Sequence, residues 1–140
     1  MAAQHFDFDG QNRCERGSTF KKTLAFYSNL TRAEIDAIES GKVSVAQQAS
    51  IASKALNLTG STVNMQVKTL ANAELVLALT TANGRATITA NEVFLSVDFA
   101  TTTTLLAGTY YYDLEITSPG GAEVIRHLQG NFVVDREVTT

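Results

Sequence analysis

The stretch from Leu105 to Gly121 constrains the fold most. In LLAGTYYYDLEITSPGG, apolar side chains recur at every second position from Tyr110 to Ile116, with mostly polar ones between them. A period of two with one apolar face indicates an antiparallel strand that covers a core on one side. Residues 118–121 then place the chain's only proline beside two glycines, which favours a reversal of the chain. We therefore predict a β-hairpin whose second limb covers residues 122–128.

Alternating segments of this kind recur along the chain, separated by turn residues such as Asn83-Gly84. The segment 74–79 is apolar at most positions, which favours a central strand, and Gly130 predicts a bulge or a change of sheet. Four threonines, Thr101–Thr104, lead into the tyrosine-rich strand. About eight short strands are typical of an antiparallel β-sandwich. The other predicted strands are 18–28, 62–68, 86–88, 93–99 and 131–134.

Two capping boxes interrupt the strands between residues 31 and 56. In each box, a serine or threonine is followed three residues later by Glu or Gln, which is typical of a helix start. The boxes are Thr31 with Glu34 and Ser44 with Gln47. We predict a short helix after each box, over residues 32–39 and 45–55. The predicted fold is therefore all-β, with a short helical insertion between its first and second strands.

The second predicted helix carries a face of small residues, Ala46, Ala49, Ala52 and Ser53. This face is too thin to form a second core, but it allows a close approach of backbones. It could pack against a partner or against the outside of the sandwich, and we favour the partner.

Both ends of the chain are polar and aperiodic. Residues 1–17 are interpreted as an extended arm, residues 18–135 as the sandwich domain, and residues 136–140 as a C-terminal tail. Two aromatic residues on the arm, Phe6 and Phe8, are expected to dock on the domain or on a neighbouring subunit. We predict that the arm and the tail reach neighbouring subunits. The N-terminus lacks the apolar core of a secretory signal, so we expect synthesis in a cytoplasm.

Composition excludes several classes of partner. The net charge is −3 and no basic run occurs, so nucleic acid is not expected as a partner. No apolar stretch is long enough to span a membrane. A single cysteine, Cys14, precludes an internal disulfide and is interpreted as a free thiol. Charged residues make up only 18% of the chain, and a surface with few charges suits packing against neighbouring subunits.

Groups capable of catalysis or metal binding are scattered in the sequence. His5 and His127 lack the spacing of a metal pair, and Asp113 and Glu115 share a polar strand face where carboxylates are usually solvated. The carboxylates near Gly10 match only the start of a calcium loop. No phosphate-binding loop or nucleophile elbow occurs. We therefore expect no catalytic residues, no bound metal and no cofactor.

The three consecutive tyrosines are assigned two roles. The sequence Leu105-x-x-Gly108-x-Tyr110 resembles a tyrosine corner, in which the tyrosine hydroxyl bonds to nearby backbone and fixes an arch between sheets. Tyr110 and Tyr112 are therefore expected to be structural. Tyr111 points to the opposite face and is the expected contact residue, since an exposed aromatic ring can also stack on a sugar.

Several turn and corner stretches recur together in one order along the chain. They are Gly17-Ser-Thr-Phe20, Asn57-Leu-Thr-Gly60-Ser-Thr-Val63, Leu79-Thr-Thr-Ala-Asn-Gly84, Leu106-Ala-Gly-Thr-Tyr110-x-Tyr112-Asp-Leu114 and Gly130-x-Phe132-x-Val134. This order resembles small immunoglobulin-like β-sandwich proteins of tailed bacteriophages, similar to the N-terminal domains of baseplate upper proteins. Such domains usually enter the Leu-Thr-Gly turn through a short loop, whereas residues 31–56 intervene here.

The resemblance implies a non-enzymatic structural protein of the virion, in the tail, baseplate or neck. Its expected partners are other virion structural proteins, through self-association as a homo-oligomer or as an adaptor, and its expected location is the virion. The alternatives are a capsid decoration protein, a carbohydrate-binding receptor-recognition module and, less favoured, a hydrolase. The family has no catalytic residues to carry over to this chain.

Overall fold

The computed structural model describes residues 4–136 of the chain. Two short 3₁₀ turns, Gly10–Asn12 and Pro119–Gly121, accompany the strands and helices. In chain order, these are β1 Gln4–His5, β2 Cys14–Glu15, β3 Phe20–Ala25, α1 Arg32–Ser40, α2 Val45–Ser53, β4 Thr62–Thr69, β5 Leu75–Thr80, β6 Ala86–Thr89, β7 Glu92–Val97, α3 Phe99–Thr103, β8 Gly108–Thr117 and β9 Val124–Asp135.

The strands form two sheets that share one apolar core. The large sheet has the order β1-β9-β8-β4-β5, with β2 also paired to β9, and the small sheet has the order β3-β7-β6. β1 and β2 run parallel to β9, and the other pairs are antiparallel. Buried side chains of both sheets belong to the same cluster, for example Met65 and Leu114 of the large sheet and Leu95 of the small one. The predicted β-sandwich is confirmed at this level.

The strand β8 has the predicted alternation. Tyr110, Tyr112, Leu114 and Ile116 are buried, and the residues between them are half-buried on the outer face. β8 pairs with β4 on one side and with β9 on the other, so it lies inside the large sheet. The hydroxyl of Tyr110 donates to the carbonyl of Leu106 at 2.6 Å, which confirms the predicted tyrosine corner.

The irregularity of β9 lies at His127 and not at Gly130. Leu114 pairs with Leu128 and Glu115 with Arg126, so His127 is the extra residue. Gly130 stays in register opposite Tyr112, and β9 continues through it in the same sheet. The prediction of a bulge or a change of sheet at Gly130 is therefore wrong.

Gly130 is instead needed for a close approach of the N-terminal arm. A Cβ at this position would lie 2.2 Å from the carbonyl oxygen of Phe6, which is far inside van der Waals contact. The hydroxyl of Tyr112 donates to the same carbonyl at 2.6 Å. A side chain at position 130 would therefore push the arm away from β9.

The arm belongs to its own domain, which corrects the prediction that it reaches neighbouring subunits. Phe8 is 0% exposed, and its ring centroid lies 4.9 Å from that of Tyr112 and 5.8 Å from that of Phe20. Its amide donates to the carbonyl of Asn131 at 2.8 Å. Phe6 is partly buried and packs against the same core. Phe8 cannot serve as the predicted assembly contact, because burying the ring in its own core removes it from the surface.

Two further predictions about strands are corrected. β5 is the edge strand of the large sheet and not a central strand, although it is the most uniformly apolar segment. Phe99, predicted as the last inward position of a strand, lies in α3 and is 62% exposed. The threonines that follow it form most of α3, whose first turn is capped by the side chain of Asp98 accepting from the amide of Thr101. Of the predicted tail, Arg136 is exposed and residues 137–140 lie outside the described part.

Replacing Phe8 by Ala should destabilise the domain by about 3–5 kcal/mol, because it leaves a cavity between the two sheets. Urea unfolding followed by circular dichroism measures the change. Phe99→Ala is the matched control, since that ring is mostly exposed, and it should change the free energy of unfolding by less than about 0.5 kcal/mol. Equal effects of the two substitutions would contradict the placement of Phe8 in the core.

Candidate functional site

The helix pair α1–α2 is the part of the chain that the sandwich core does not use. Its buried apolar residues, Ala37 and Ile51, are not members of the central cluster. Backbone hydrogen bonds attach it to the end of β3: the amide of Ser28 donates to Lys54 at 2.8 Å and the amide of Leu56 to Phe26 at 3.1 Å. The helix pair is therefore attached at one end of the sandwich and lies outside its central core.

Both predicted capping boxes form. Thr31 begins α1 and Ser44 begins α2, and in each box the side chain and backbone bonds are both present. α1 ends at Ser40 and is capped by Gly41, whose φ of 73° is the left-handed conformation that glycine commonly adopts after a helix. α2 ends at Ser53, two residues before the predicted end.

A buried carboxylate joins the two helices. Glu34 is 4% exposed and accepts at Oε1 from the amide of Thr31 at 2.9 Å and from Nζ of Lys54 at 2.5 Å. At Oε2 it accepts from the hydroxyl of Ser50 at 2.7 Å. The bond from Lys54, followed by those from Thr31 and Ser50, lowers the pKa of Glu34 from 4.5 to about 2. We call these four residues the Glu34 network.

The Glu34 network is suited to holding structure and not to moving protons. A carboxylate that donors fix on both oxygens, with a pKa near 2, is a poor general base at neutral pH and is not protonated to act as an acid. The capping box predicts the bond between Glu34 and Thr31 but not the bonds of Glu34 to Ser50 in α2 and to Lys54 directly after it. Only the folded contact between the helices reveals them.

The predicted small-residue face lies on the outer side of α2. Ala46, Ala49, Ala52 and Ser53 are all exposed, while Ile51 on the opposite side is buried. Val45 extends the same surface and is 83% exposed. The hydroxyl of Ser53 donates to the carbonyl of Ser50 at 2.6 Å, so it bonds back to its own helix. α2 thus presents a strip of small, mostly apolar side chains, which the sandwich leaves uncovered.

The turn between β8 and β9 lies at the same end of the sandwich as the loop that follows α2. A Cβ on Gly60 would lie 3.2 Å from Cγ of Pro119. Val124, at the start of β9, is 56% exposed. The helix pair and this turn together form the candidate functional site.

Tyr111 is the remaining predicted contact residue. It is half-buried on the outer face of the large sheet, where it pairs in register with Lys68 of β4 and Asn131 of β9. On the same face, Oδ2 of Asp113 lies 3.5 Å from Nε of Arg126 on β9, so the two side chains form an ion pair. Tyr111 is therefore separate from the helix pair in the fold and belongs to a different surface.

Three further titratable residues, His127, Cys14 and Asp7, are at least partly buried or are bonded within the fold. His127 lies against Phe26, with ring centroids 5.4 Å apart, and burial lowers its pKa. His5 belongs to β1 and pairs in register with Gln129. Burial, with a smaller contribution from Glu15, raises the pKa of Cys14 to about 11, so its thiol stays protonated and unreactive. Asp7 accepts from the amide of Asn131 at 2.8 Å, which fixes the arm on β9.

Within residues 4–136, no group of three or more His, Cys, Asp or Glu side chains is placed to hold a metal ion. A shallow pocket of about 150 Å³ lies between the arm and β3, lined by residues 11–13, 15 and 18–22. Its volume is below the roughly 300 Å³ at which pockets for small molecules begin. None of the described helices is both long enough and apolar enough to cross a membrane.

Comparisons with known proteins are sparse. No family model matches the sequence, and a search of curated proteins finds no match either. Among solved structures, the chain is similar to CopC from Methylosinus trichosporium OB3b, with 16% sequence identity and a TM-score of 0.34. The similar region covers 59% of this chain and 69% of the CopC chain. A likeness this distant carries no argument about function.

Replacing Glu34 by Gln should loosen the helix pair while the sandwich stays folded. The carboxylate has a folded pKa below its unfolded value, so its stabilisation is complete above the unfolded pKa of 4.5 and is lost as the pH falls through about 2. Amide hydrogen exchange in α1 and α2 should therefore differ most between wild type and Glu34→Gln near neutral pH, and the difference should shrink in acid. Glu39→Gln, at an exposed position of α1, is the control and should exchange like wild type. If Glu34→Gln exchanged at the same rate as Glu39→Gln, the structural role assigned to the Glu34 network would be wrong.

Proposed function

We propose that this chain is a non-enzymatic structural protein of a tailed-phage virion, in the tail, baseplate or neck, which joins neighbouring virion proteins through α2. The observation that carries the proposal is the small-residue face, Ala46, Ala49, Ala52 and Ser53, exposed on a helix that the sandwich core does not use. Because its side chains are small, this face allows the backbone of another protein to approach α2 closely. The phage context comes from the sequence resemblance.

The proposed sandwich is immunoglobulin-like. In variable-type immunoglobulin domains, one sheet contains strands G, F, C and C′ in this order and the other contains B, E and D. The large sheet here has β9, β8, β4 and β5 in order, and the small sheet has β3, β7 and β6. The hydroxyl of Tyr110 on β8 reaches back to Leu106, as a tyrosine corner does on strand F.

This strand order supports binding of a partner protein at the end of the sandwich where the helix pair lies. The helix pair then occupies the B–C connection, and residues 118–123 form the F–G turn. These are two of the connections that immunoglobulin domains use for binding. The contact between Gly60 and Pro119 brings them together.

The size of the face favours repeated contacts over a tight pair. α2 has nine residues, so it is about 14 Å long. One such strip buries much less than the roughly 1,200 Å² of a stable interface, so a single contact should be weak. Several copies around a ring or a tail would hold together through their combined contacts.

The double variant Ala49→Arg/Ala52→Arg should leave the fold unchanged and abolish assembly. Both positions are exposed, so stability should change by less than about 0.5 kcal/mol. Two guanidinium groups in a closely packed contact lack partners, and association should weaken by more than about tenfold. Mass spectrometry of purified particles after complementation measures incorporation, and analytical ultracentrifugation measures self-association of the isolated chain.

Ala100→Arg is the matched control, because Ala100 is an exposed alanine of a different helix, α3. It should be incorporated like wild type. Normal incorporation of the Ala49→Arg/Ala52→Arg variant would refute the assembly role of α2. Absence of the wild-type chain from purified tailed particles would refute the virion assignment, and its location on the capsid would favour a decoration protein.

A carbohydrate-binding module is the second candidate, favoured by the half-buried side chain of Tyr111 on the outer face of the large sheet. Stacking of a sugar on this ring would be lost in Tyr111→Ala. We expect no reproducible binding of the wild-type chain on a glycan array. Binding that Tyr111→Ala abolishes, while Tyr111→Phe retains it, would establish the carbohydrate function instead.

A further inference from the structure

The strand β5 forms an edge of the large sheet that invites pairing with another chain. Its six residues, LVLALT, carry no charge, and it is the last strand on its side of the sheet. An uncharged apolar edge strand is a template for strand addition unless something covers it. The opposite edge of the sheet is covered, because the arm runs along β9.

Pairing with β4 shows which backbone groups of β5 face the open edge. The amide of Thr81 donates to the carbonyl of Val63, so residues 63 and 81 form a hydrogen-bonded pair. In an antiparallel ladder such pairs alternate with pairs whose N–H and C=O groups point away from each other. The alternate pairs are Asn64 with Thr80 and Gln66 with Ala78. The backbone groups of Ala78 and Thr80 therefore point to the open edge.

The side chain of Asn83 binds two of these groups. Its Nδ2 donates to the carbonyl of Ala78 at 2.9 Å, and its Oδ1 accepts from the amide of Thr80 at 3.0 Å. The peptide groups of a parallel neighbouring strand would bond residues 78 and 80 in the same way, on either side of Leu79. The NH₂ and C=O of the Asn83 carboxamide thus take the place of the N–H and C=O of one residue in such a strand.

Further contacts hold the Asn83 side chain in place, and an irregularity in β5 makes the rest of the edge unsuitable for strand pairing. Arg85 Nη1 also donates to the carbonyl of Ala78, at 3.2 Å, and the amide of Asn83 donates to Oγ1 of Thr80 at 3.0 Å. Towards the start of β5, Val67 pairs with Leu77 and Lys68 with Leu75, so Val76 is an extra residue in the ladder. A bulge of this kind distorts an edge strand and disfavours pairing.

We propose that the carboxamide of Asn83, supported by Arg85, closes the β5 edge against strand addition by a second copy of this chain. A second β5 is the fitting partner, because two uncharged apolar strands can pair antiparallel without repulsion between charges. The proposal is independent of the proposed function. Its consequence is that self-association through β5 is blocked while the Asn83 carboxamide is bonded to Ala78 and Thr80.

The test uses the full chain carrying Asn83→Ala/Arg85→Ala. At a concentration where the variant is monomeric, the amide of Thr80 should exchange about tenfold faster than in wild type, because its acceptor is gone. Analytical ultracentrifugation should show concentration-dependent association beyond that of wild type. Adding Leu75→Lys, at an exposed position of β5, places a charge on the edge strand and should reverse this association. Asn72→Ala is the matched control: this exposed asparagine lies in the β4–β5 turn, and its side chain binds the Thr69 hydroxyl and not β5.

Three results would overturn the proposal. They are unchanged exchange of the Thr80 amide in the monomer, faster exchange without new association, and new association that Leu75→Lys does not reverse. Asn83→Ala alone removes both side-chain bonds to β5, adds no charge to the edge and leaves Arg85 in place. If the double variant does not fold, this milder variant is measured in the same way, and its wild-type behaviour in ultracentrifugation would count against the proposal.

Discussion

Insertion of Phe8 between the two sheets is the contact on which the rest of the fold depends. The ring lies against Tyr112 of β8, Phe20 of β3 and Phe132 of β9, so one residue joins both sheets and the arm. Burying such a side chain contributes about 1.5–3 kcal/mol, and each aromatic contact adds about 0.5–1.5 kcal/mol. The contact requires the glycine at position 130, because any side chain there would meet the backbone of Phe6. The first and last strands of the domain are thereby held together.

Local patterns in the sequence predicted the elements whose stabilising contacts are themselves local. The alternation of β8 and both capping boxes involve residues no more than a few positions apart, and both are found in the structure. The tyrosine corner is equally local, since Tyr110 and Leu106 are four residues apart. In each case the residue types and their spacing are sufficient to determine the hydrogen bonds that form.

The features that sequence reasoning missed depend on contacts between distant residues. The arm was interpreted as external because nothing near Phe8 in the sequence shows the gap above Gly130. The helix α3 is stabilised partly by the buried hydroxyl of Thr102, which donates to the carbonyl of Ser18, 84 residues away. The edge position of β5 was missed for a related reason, since an apolar run shows burial but not the order of strands in a sheet. Of the candidate site, the small-residue face was predicted, whereas the bonds of Glu34 to Ser50 and Lys54 were not.

The distribution of closed and open surfaces gives the candidate site its physical basis. Backbone N–H and C=O groups at a sheet edge form strong hydrogen bonds with any strand that pairs there, so such contacts are unselective. Both edges of the large sheet are occupied by the chain's own atoms. Most backbone groups of α2 bond within the helix, so its small-residue face binds only a surface that matches its shape. The Glu34 network holds that face in a fixed orientation without adding exposed charge to it, because the carboxylate is buried under the helices. Because both edges of the large sheet are closed, contact at α2 does not compete with strand addition to that sheet.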